Sequence, residues 1–198
     1  MIVLISGKQG SGKTTLATNL RDLWHEVPNN RAFIMKFASP LYDMHNFILG
    51  YLADHGIKRD MVKDGPLLQL LGTEWGRKTV SENIWVDLLK AKIKKSQDPS
   101  RSYGARQLFI IEDCRFRNEF DAFPDAVKIR LECSLEARQW RCEAWRPNDT
   151  HESEMDLDGY SLNNKFDLTF DTTKTLDAAM VAHASYLHIA EKYESQTK

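Results

Sequence analysis

The chain has 198 residues, 42% of them hydrophobic, which suits one α/β domain with a full core and room for a small insertion. Its 27 basic and 28 acidic residues leave a net charge of −1, so no global field draws nucleic acid or an anionic membrane, and no apolar run reaches membrane-spanning length. Cys114, Cys133 and Cys142 form no C-x-x-C pair, which argues against a disulfide frame or zinc site and for a reduced, cytoplasmic setting.

The first strand pattern, Ile2 to Ile5, starts at once and leaves no room for a signal peptide. The run Gly7-Lys8-Gln9-Gly10-Ser11-Gly12-Lys13-Thr14-Thr15 follows and fits G-x-x-x-x-G-K-[ST], the phosphate-binding loop. Leu16, Leu20, Leu23 and Trp24 then recur at helical spacing, so a helix opens at the loop. Strand, loop and helix in that order aim backbone N–H groups and the positive end of a helix dipole at one point. Gly7, Gly10, Ser11, Gly12, Lys13, Thr14 and Thr15 are therefore the expected contacts of a nucleoside triphosphate. Lys13 would reach the β- and γ-phosphates, and the Thr14 hydroxyl would ligate Mg²⁺.

A second strand is expected at Phe33 to Phe37. Helical stripes follow at Leu41, Met44, Ile48 and Leu52, then at Leu67, Leu68, Leu71 and Trp75, then at Trp85, Leu88, Leu89 and Ile93. The stretch from Ala38 to Gln107 is too long for a plain crossover and should form a substrate-facing helical lobe. Ser96 to Gly104 reads as an exposed loop. Leu108 to Ile111 is a continuous apolar strand, Val127 to Cys133 alternates as a strand with one wetter face, and Phe166, Leu168 and Phe170 alternate likewise. Leu176, Met180, His183, Leu187 and Ala190 mark a C-terminal helix. Strands alternating with helices predict an α/β fold with a parallel sheet and right-handed crossovers.

Glu112, Asp113 and Arg115 follow the apolar strand at 108–111. Carboxylates at the carboxyl end of a strand beside the phosphate loop sit where ligands bind in open α/β sheets. Asp113 would hold the Mg²⁺ and its waters, and Arg115 could clamp an anionic acceptor. Arg138 and Arg141, one turn apart, with Arg146 beyond, would stabilise charge on a transferring phosphoryl group. Asn164-Lys165-Phe166-Asp167 and Asp156-Leu157-Asp158-Gly159 imitate the guanine-reading and D-x-x-G motifs of GTPases. Their positions exclude that role. The first precedes a strand instead of following one, and only four residues separate the two.

Several blocks resemble the bacteriophage deoxynucleoside monophosphate kinases of the adenylate-kinase-like branch. They are Phe37-Ala38-Ser39-Pro40-Leu41, Leu67-Leu68-Gln69-Leu70-Leu71-Gly72-Thr73-Glu74, Ile84-Trp85-Val86, Asp113-Cys114-Arg115, Asn148-Asp149-Thr150-His151-Glu152-Ser153-Glu154 and Asp167-Leu168-Thr169-Phe170. The resemblance implies a three-layer P-loop kinase fold with a five-stranded parallel sheet, a helical acceptor-binding lobe and a short lid. It implies one domain, with core 1–37, 105–135 and 160–198, lobe 38–104 and lid 136–159. The implied reaction moves the γ-phosphoryl of Mg·ATP to a deoxynucleoside 5′-monophosphate in the cytoplasm, that of the host if the chain is phage-encoded, with no nucleic-acid or membrane partner.

On that resemblance Lys13, Arg115, Arg138 and Arg141 carry the catalysis. Lys36, Glu74, Trp75, Arg77, Glu112, Asp113, Arg115, Arg146 and His151 serve the acceptor, and Thr14 and Asp113 serve the metal. Trp75 has the alternative role of core anchor, and His151 that of bracing its loop. His45, His55 and His151 show no metal-ligand spacing. Where the family tends to show asparagine after the last strand, this chain has Asp171-Thr172, and Gly76-Arg77-Lys78 is more basic than in some members. A kinase of another small metabolite and a nucleotide-dependent switch are the alternatives, and an exposed apolar helix face is where a homodimer would form.

Overall fold

The computed structural model describes residues 1–57, 63–97, 105–142, 155–174 and 178–196. In chain order the elements are β1 (Ile2–Gly7), α1 (Lys13–His25), β2 (Asn30–Met35), α2 (Ser39–Asp54), α3 (Gly65–Gln69), a π-helical segment (Leu70–Val80) and α4 (Ile84–Ser96). Then come β3 (Arg106–Ile111), α5 (Arg117–Asp121), β4 (Val127–Glu132), α6 (Leu135–Arg141), α7 (Asp158–Leu162), β5 (Leu168–Asp171) and α8 (Ala178–Gln196). The chain forms two compact units, one of Met1–Met35 with Ser96–Lys198 and one of Lys36–Lys95. No described helix is long and apolar enough to cross a membrane.

In the first unit the five strands make one all-parallel sheet of order β2-β3-β1-β4-β5, as the alternating pattern predicts. The two continuously apolar strands, β1 and β3, occupy its centre, where both faces exclude water. Val3, Ile5, Leu108, Ile110, Val127, Ile129 and Leu131 pack one face against Leu16, Ala17 and Leu20 of α1 and Val181, Ala182 and Ile189 of α8. Trp24 closes that layer, its ring 6.0 Å from Tyr186 and 5.7 Å from Tyr193. On the opposite face Leu4, Phe109 and Ile111 are also buried.

The structure corrects several boundaries. β2 spans Asn30–Met35 rather than Phe33–Phe37, because it pairs with β3 from Asn30↔Arg106 to Met35↔Ile111. β5 is Leu168–Asp171, without Phe166, and just before it the Asp167 carboxylate accepts the backbone N–H of Lys128 at 2.7 Å. Ser96 closes α4, so the loop expected from that residue starts later, and 98–104 lie outside the described residues. Leu176 likewise lies outside them, and α8 is described from Ala178. The wetter face expected on β4 is not wet at its middle: Arg130 is 3% exposed and its charge is met by carboxylates.

In the second unit the helix expected through Trp75 is α-helical only to Gln69 and then widens to π geometry up to Val80. The amide of Ser81 donates to the carbonyl of Gly76 at 3.0 Å and the Thr79 hydroxyl to that of Glu74 at 2.8 Å, both five residues back. Gly76 permits a close approach here, because a Cβ on it would lie 2.7 Å from the Trp85 ring. The Trp85 indole N–H in turn donates to the carbonyl of Gly72 at 3.0 Å. A buried histidine sets the start of this segment. His45 Nε2 accepts the amide of Asp64 at 3.0 Å, and the Asp64 carboxylate caps α3 through the amide of Leu67.

Candidate active site

The phosphate loop leaves β1 at Gly7 and enters α1 through Gly12, whose φ of 96° makes it a left-handed N-cap. Gly7 and Gly10 demand glycine as well: a Cβ on Gly7, at φ 152°, would stand 2.6 Å from the backbone carbonyl of Leu131, and one on Gly10, at φ 79°, would stand 3.0 Å from that of Arg138. The Lys13 ammonium donates to the carbonyls of Gly7 at 2.6 Å and Lys8 at 2.9 Å, so it stands at the mouth of its own loop. Ser11 is buried, while Thr14 and Thr15 are exposed on the first turn of α1. The loop is thus a cradle with its cation in place and its α1 end open. This is the shape a chain of phosphates fits.

β3 lies beside β1, with Ile111 opposite Leu4, so the turn after β3 neighbours the loop. Glu112 is buried there, and Asp113 and Arg115 are half-buried. Glu119, at 2% exposure, shapes the turn: its Oε2 accepts the amides of Arg115 at 2.8 Å and Phe116 at 3.1 Å. Sequence reasoning missed this residue, because a glutamate two residues into a short helix looks like a solvated one. Burial raises the Cys114 thiol well above its usual range, and the charges of Glu119 and Asp113 add to this.

The two arginines of α6 diverge. Arg138 is 3% exposed; its Nε donates to the carbonyl of Cys133 at 3.2 Å, and Nη1 makes a longer 3.4 Å contact to the carbonyl of Gln9 inside the loop. Arg141 turns to the segment after β5, donating to the carbonyl of Thr172 at 2.7 Å. The Thr172 hydroxyl closes the ring by donating to the carbonyl of Ser11 at 3.0 Å. Between them opens a cavity of about 200 Å³ lined by Ser11, Gly12, Thr15, Leu16, Leu131, Arg141, Thr172, Ala178 and Val181.

Lys36 is exposed just after β2, and Glu74, Trp75 and Arg77 lie on the π-helical segment, all in the second unit. Glu74 is paired with Lys78 at 2.9 Å. Trp75 is 41% exposed, so part of the side chain packs against its unit and part reaches solvent. Arg146, His151 and the whole 148–154 block lie outside the described residues.

The two GTPase look-alikes have structural work. Asp156 accepts the amide of Arg117 at the start of α5, and Asp158 pairs with Arg130 and Lys8. Asn164 and Lys165 shape the turn before β5, and the Lys165 ammonium sits 4.0 Å from the Tyr160 ring centre.

A family model described as an AAA domain matches residues 3–158, from β1 through the start of α7. The chain belongs to that family. The deoxynucleoside-5′-monophosphate kinase of Escherichia phage T5 is 24% identical over 155 residues, which cover 74% of this chain and 59% of that protein. The chain therefore matches less than two thirds of the length of that relative. Among solved structures, TT1252 from Thermus thermophilus aligns at a TM-score of 0.56 with 16% identity, over 95% of this chain and 96% of that one. Shikimate kinase from Acinetobacter baumannii, in complex with shikimate, aligns at 0.52 with 13% identity, over 96% and 92%. At these identities the likeness is one of fold, and the fold of this member of the family is that of P-loop kinases.

Among the described residues no cluster of three His, Cys, Asp or Glu could hold a metal by itself. Magnesium in such a site would come with the phosphates, which is how it usually binds: one or two protein oxygens, substrate oxygens and water. The exposed Thr14 hydroxyl, on the first turn of α1, and the half-buried Asp113 carboxylate, on the turn after β3, are oxygen donors of the kind that requirement asks for.

Proposed function

We propose that the chain transfers the γ-phosphoryl group of ATP to a deoxynucleoside 5′-monophosphate. The observation that carries this reading is the Lys13 ammonium held at 2.6 and 2.9 Å on the loop carbonyls, beside a turn bearing Asp113 and Arg115. The name of the phage T5 relative supports the choice of acceptor class. Lys13 and the loop amides take the donor phosphates, and Thr14 with Asp113 takes Mg²⁺, which when bound neutralises the phosphate oxygens. Arg115 clamps the acceptor phosphate, with Glu112 beside it. Glu74 and His151, which lie in the family blocks, and Lys36, Trp75, Arg77 and Arg146, which lie within a few residues of them, are acceptor contacts on the strength of that resemblance.

Arg141 and the Thr172 carbonyl border a cavity whose volume suits a planar base better than a whole drug-sized ligand, for which roughly 300–1,000 Å³ is usual. The donor base is placed there in this reading. Arg138 supports the loop from behind, which preorganises it for the developing charge. No general base is needed, since an acceptor phosphate is already anionic; positioning and charge neutralisation carry the chemistry. An acceptor hydroxyl would instead use Asp113 as base, the second reading that this turn allows.

The test is coupled ADP release with Mg·ATP against dAMP, dCMP, dGMP, dTMP, their ribose forms, shikimate and no acceptor. Release that depends on deoxynucleotides supports the proposal. Release with shikimate alone supports the hydroxyl reading, and slow release indifferent to every acceptor points to a nucleotide-dependent switch.

A further inference from the structure

Lys8 occupies a variable position of the phosphate-loop motif, and nothing in the motif gives its side chain a task. Its backbone carbonyl accepts from the Lys13 ammonium at 2.9 Å, so its side chain is rooted at the phosphate site. Its own ammonium stands 3.2 Å from Asp158 Oδ2. The other oxygen of that carboxylate accepts from Arg130 Nη2 at 2.8 Å. Arg130 is buried and held at each of its three nitrogens: its Nε donates to Glu132 at 2.8 Å and its Nη1 to the hydroxyl of Ser6, the residue before the loop, at 3.1 Å. Glu132 also accepts the Ser161 hydroxyl at 2.9 Å. A fixed, buried arginine therefore sets the place of Asp158, and Asp158 sets the place of Lys8.

Such a network is a poor device for stability. The Lys8–Asp158 pair is partly exposed, at 26% and 39%, and pairs of that kind contribute little. Burying Arg130 costs solvation that its partners only offset, and buried charges are kept in attested cases for the geometry they impose. The geometry imposed here is an ammonium on a phosphate-loop residue held at one fixed carboxylate. Asp158 divides one negative charge between two cations, and Lys8 has the longer contact. A terminal phosphate with two charges would draw Lys8 away at small cost.

We infer that Lys8 is a second phosphate-directed cation of the loop, which leaves Asp158 to contact the terminal phosphoryl group of the bound triphosphate. Asp158 is its positioning residue. The inference rests on the phosphoryl-transfer reading, but it makes a separate claim about binding: Lys8 should tell a triphosphate from a diphosphate.

The experiment is calorimetric titration of the full-length chain with ATP and with ADP, in magnesium, for wild type, Lys8→Met, Lys8→Arg and Lys8→Met/Asp158→Asn. Lys8→Met is expected to weaken ATP about tenfold, the size of one charge-assisted hydrogen bond, while ADP stays within about twofold. Lys8→Arg should recover most of the loss. Adding Asp158→Asn to Lys8→Met should leave the ATP-to-ADP ratio unchanged, because the carboxylate acts through the lysine. Equal weakening of both nucleotides, or of neither, overturns the inference, as does a Lys8→Arg variant no better than Lys8→Met. Wild type that binds ATP and shows the expected ratio, yet transfers nothing to any acceptor, would sink the kinase reading while upholding this one.

Discussion

The hydroxyl of Thr172 donates to the carbonyl of Ser11 at 3.0 Å across 161 residues of sequence, tying the segment after β5 to the middle of the phosphate loop. The same oxygen lies 3.1 Å from the carbonyl of Glu132, and the amide of Thr172 donates to that carbonyl at 2.7 Å. Thr172 therefore fixes one wall of the cavity that Arg141 borders. Thr172→Val keeps the shape and removes the tie. It should cost about 1 kcal/mol of stability in urea denaturation, and weaken ATP several-fold by calorimetry. Unchanged ATP affinity would place the donor base elsewhere.

Glu119 is the residue on which the Arg115 turn depends. Replacing it with alanine leaves the amides of Arg115 and Phe116 without their acceptor. The expected loss is about 2–4 kcal/mol in urea denaturation, since each half-buried amide forfeits a hydrogen bond to a charged group. Glu119→Gln keeps an acceptor oxygen and should lose about half as much. In turnover assays both should raise KM for the acceptor more than KM for ATP, because the turn carries Arg115.

Cys114 gives a pH dependence of known sign. Its folded thiol titrates well above the usual range, chiefly through burial. An unfolded chain releases that proton near about pH 8.5. Below that pH both states hold the proton, and the neutral thiol's contribution is fully present. As pH rises from there toward the folded value, the unfolded state alone ionises and stability falls. Urea midpoints of wild type minus those of Cys114→Ala should therefore decline between about pH 8 and 10. A difference that stays flat over that range contradicts the burial. In the native protein a thiol reagent at pH 8 should label the half-buried Cys133 and Cys142 well before Cys114.

The sheet was legible because its signals are local. An apolar run before a glycine-rich loop and a second such run before Glu112-Asp113 identify β1 and β3 wherever the rest of the chain goes. The α-to-π change at Leu70 was not legible, since over two turns both ladders place Leu67, Leu68, Leu71 and Trp75 on nearly one side. It depends on Trp85, ten residues beyond Trp75, reaching back to Gly72. Arg130 was misread for a similar reason. Alternation along β4 marks which side a residue takes, but not whether that side is covered. The partners that bury Arg130, Ser6 and Asp158, come from 124 residues before it and 28 after. Arg138 and Arg141 share a helix face by spacing alone, yet one supports the loop and the other the segment after β5.

The most direct test of phosphoryl transfer is to follow the phosphorus itself. ATP labelled at the γ-phosphate is incubated with magnesium, a mixture of the four deoxynucleoside monophosphates and either wild type or Lys13→Ala, and the products are separated. Wild type should move the label into deoxynucleoside diphosphate. Lys13→Ala, with an unchanged circular dichroism spectrum and melting temperature, should move less than about a hundredth as much, the scale of losing one electrostatic stabiliser of the transition state. Label that stays in ATP, or appears only as inorganic phosphate, would contradict the assignment.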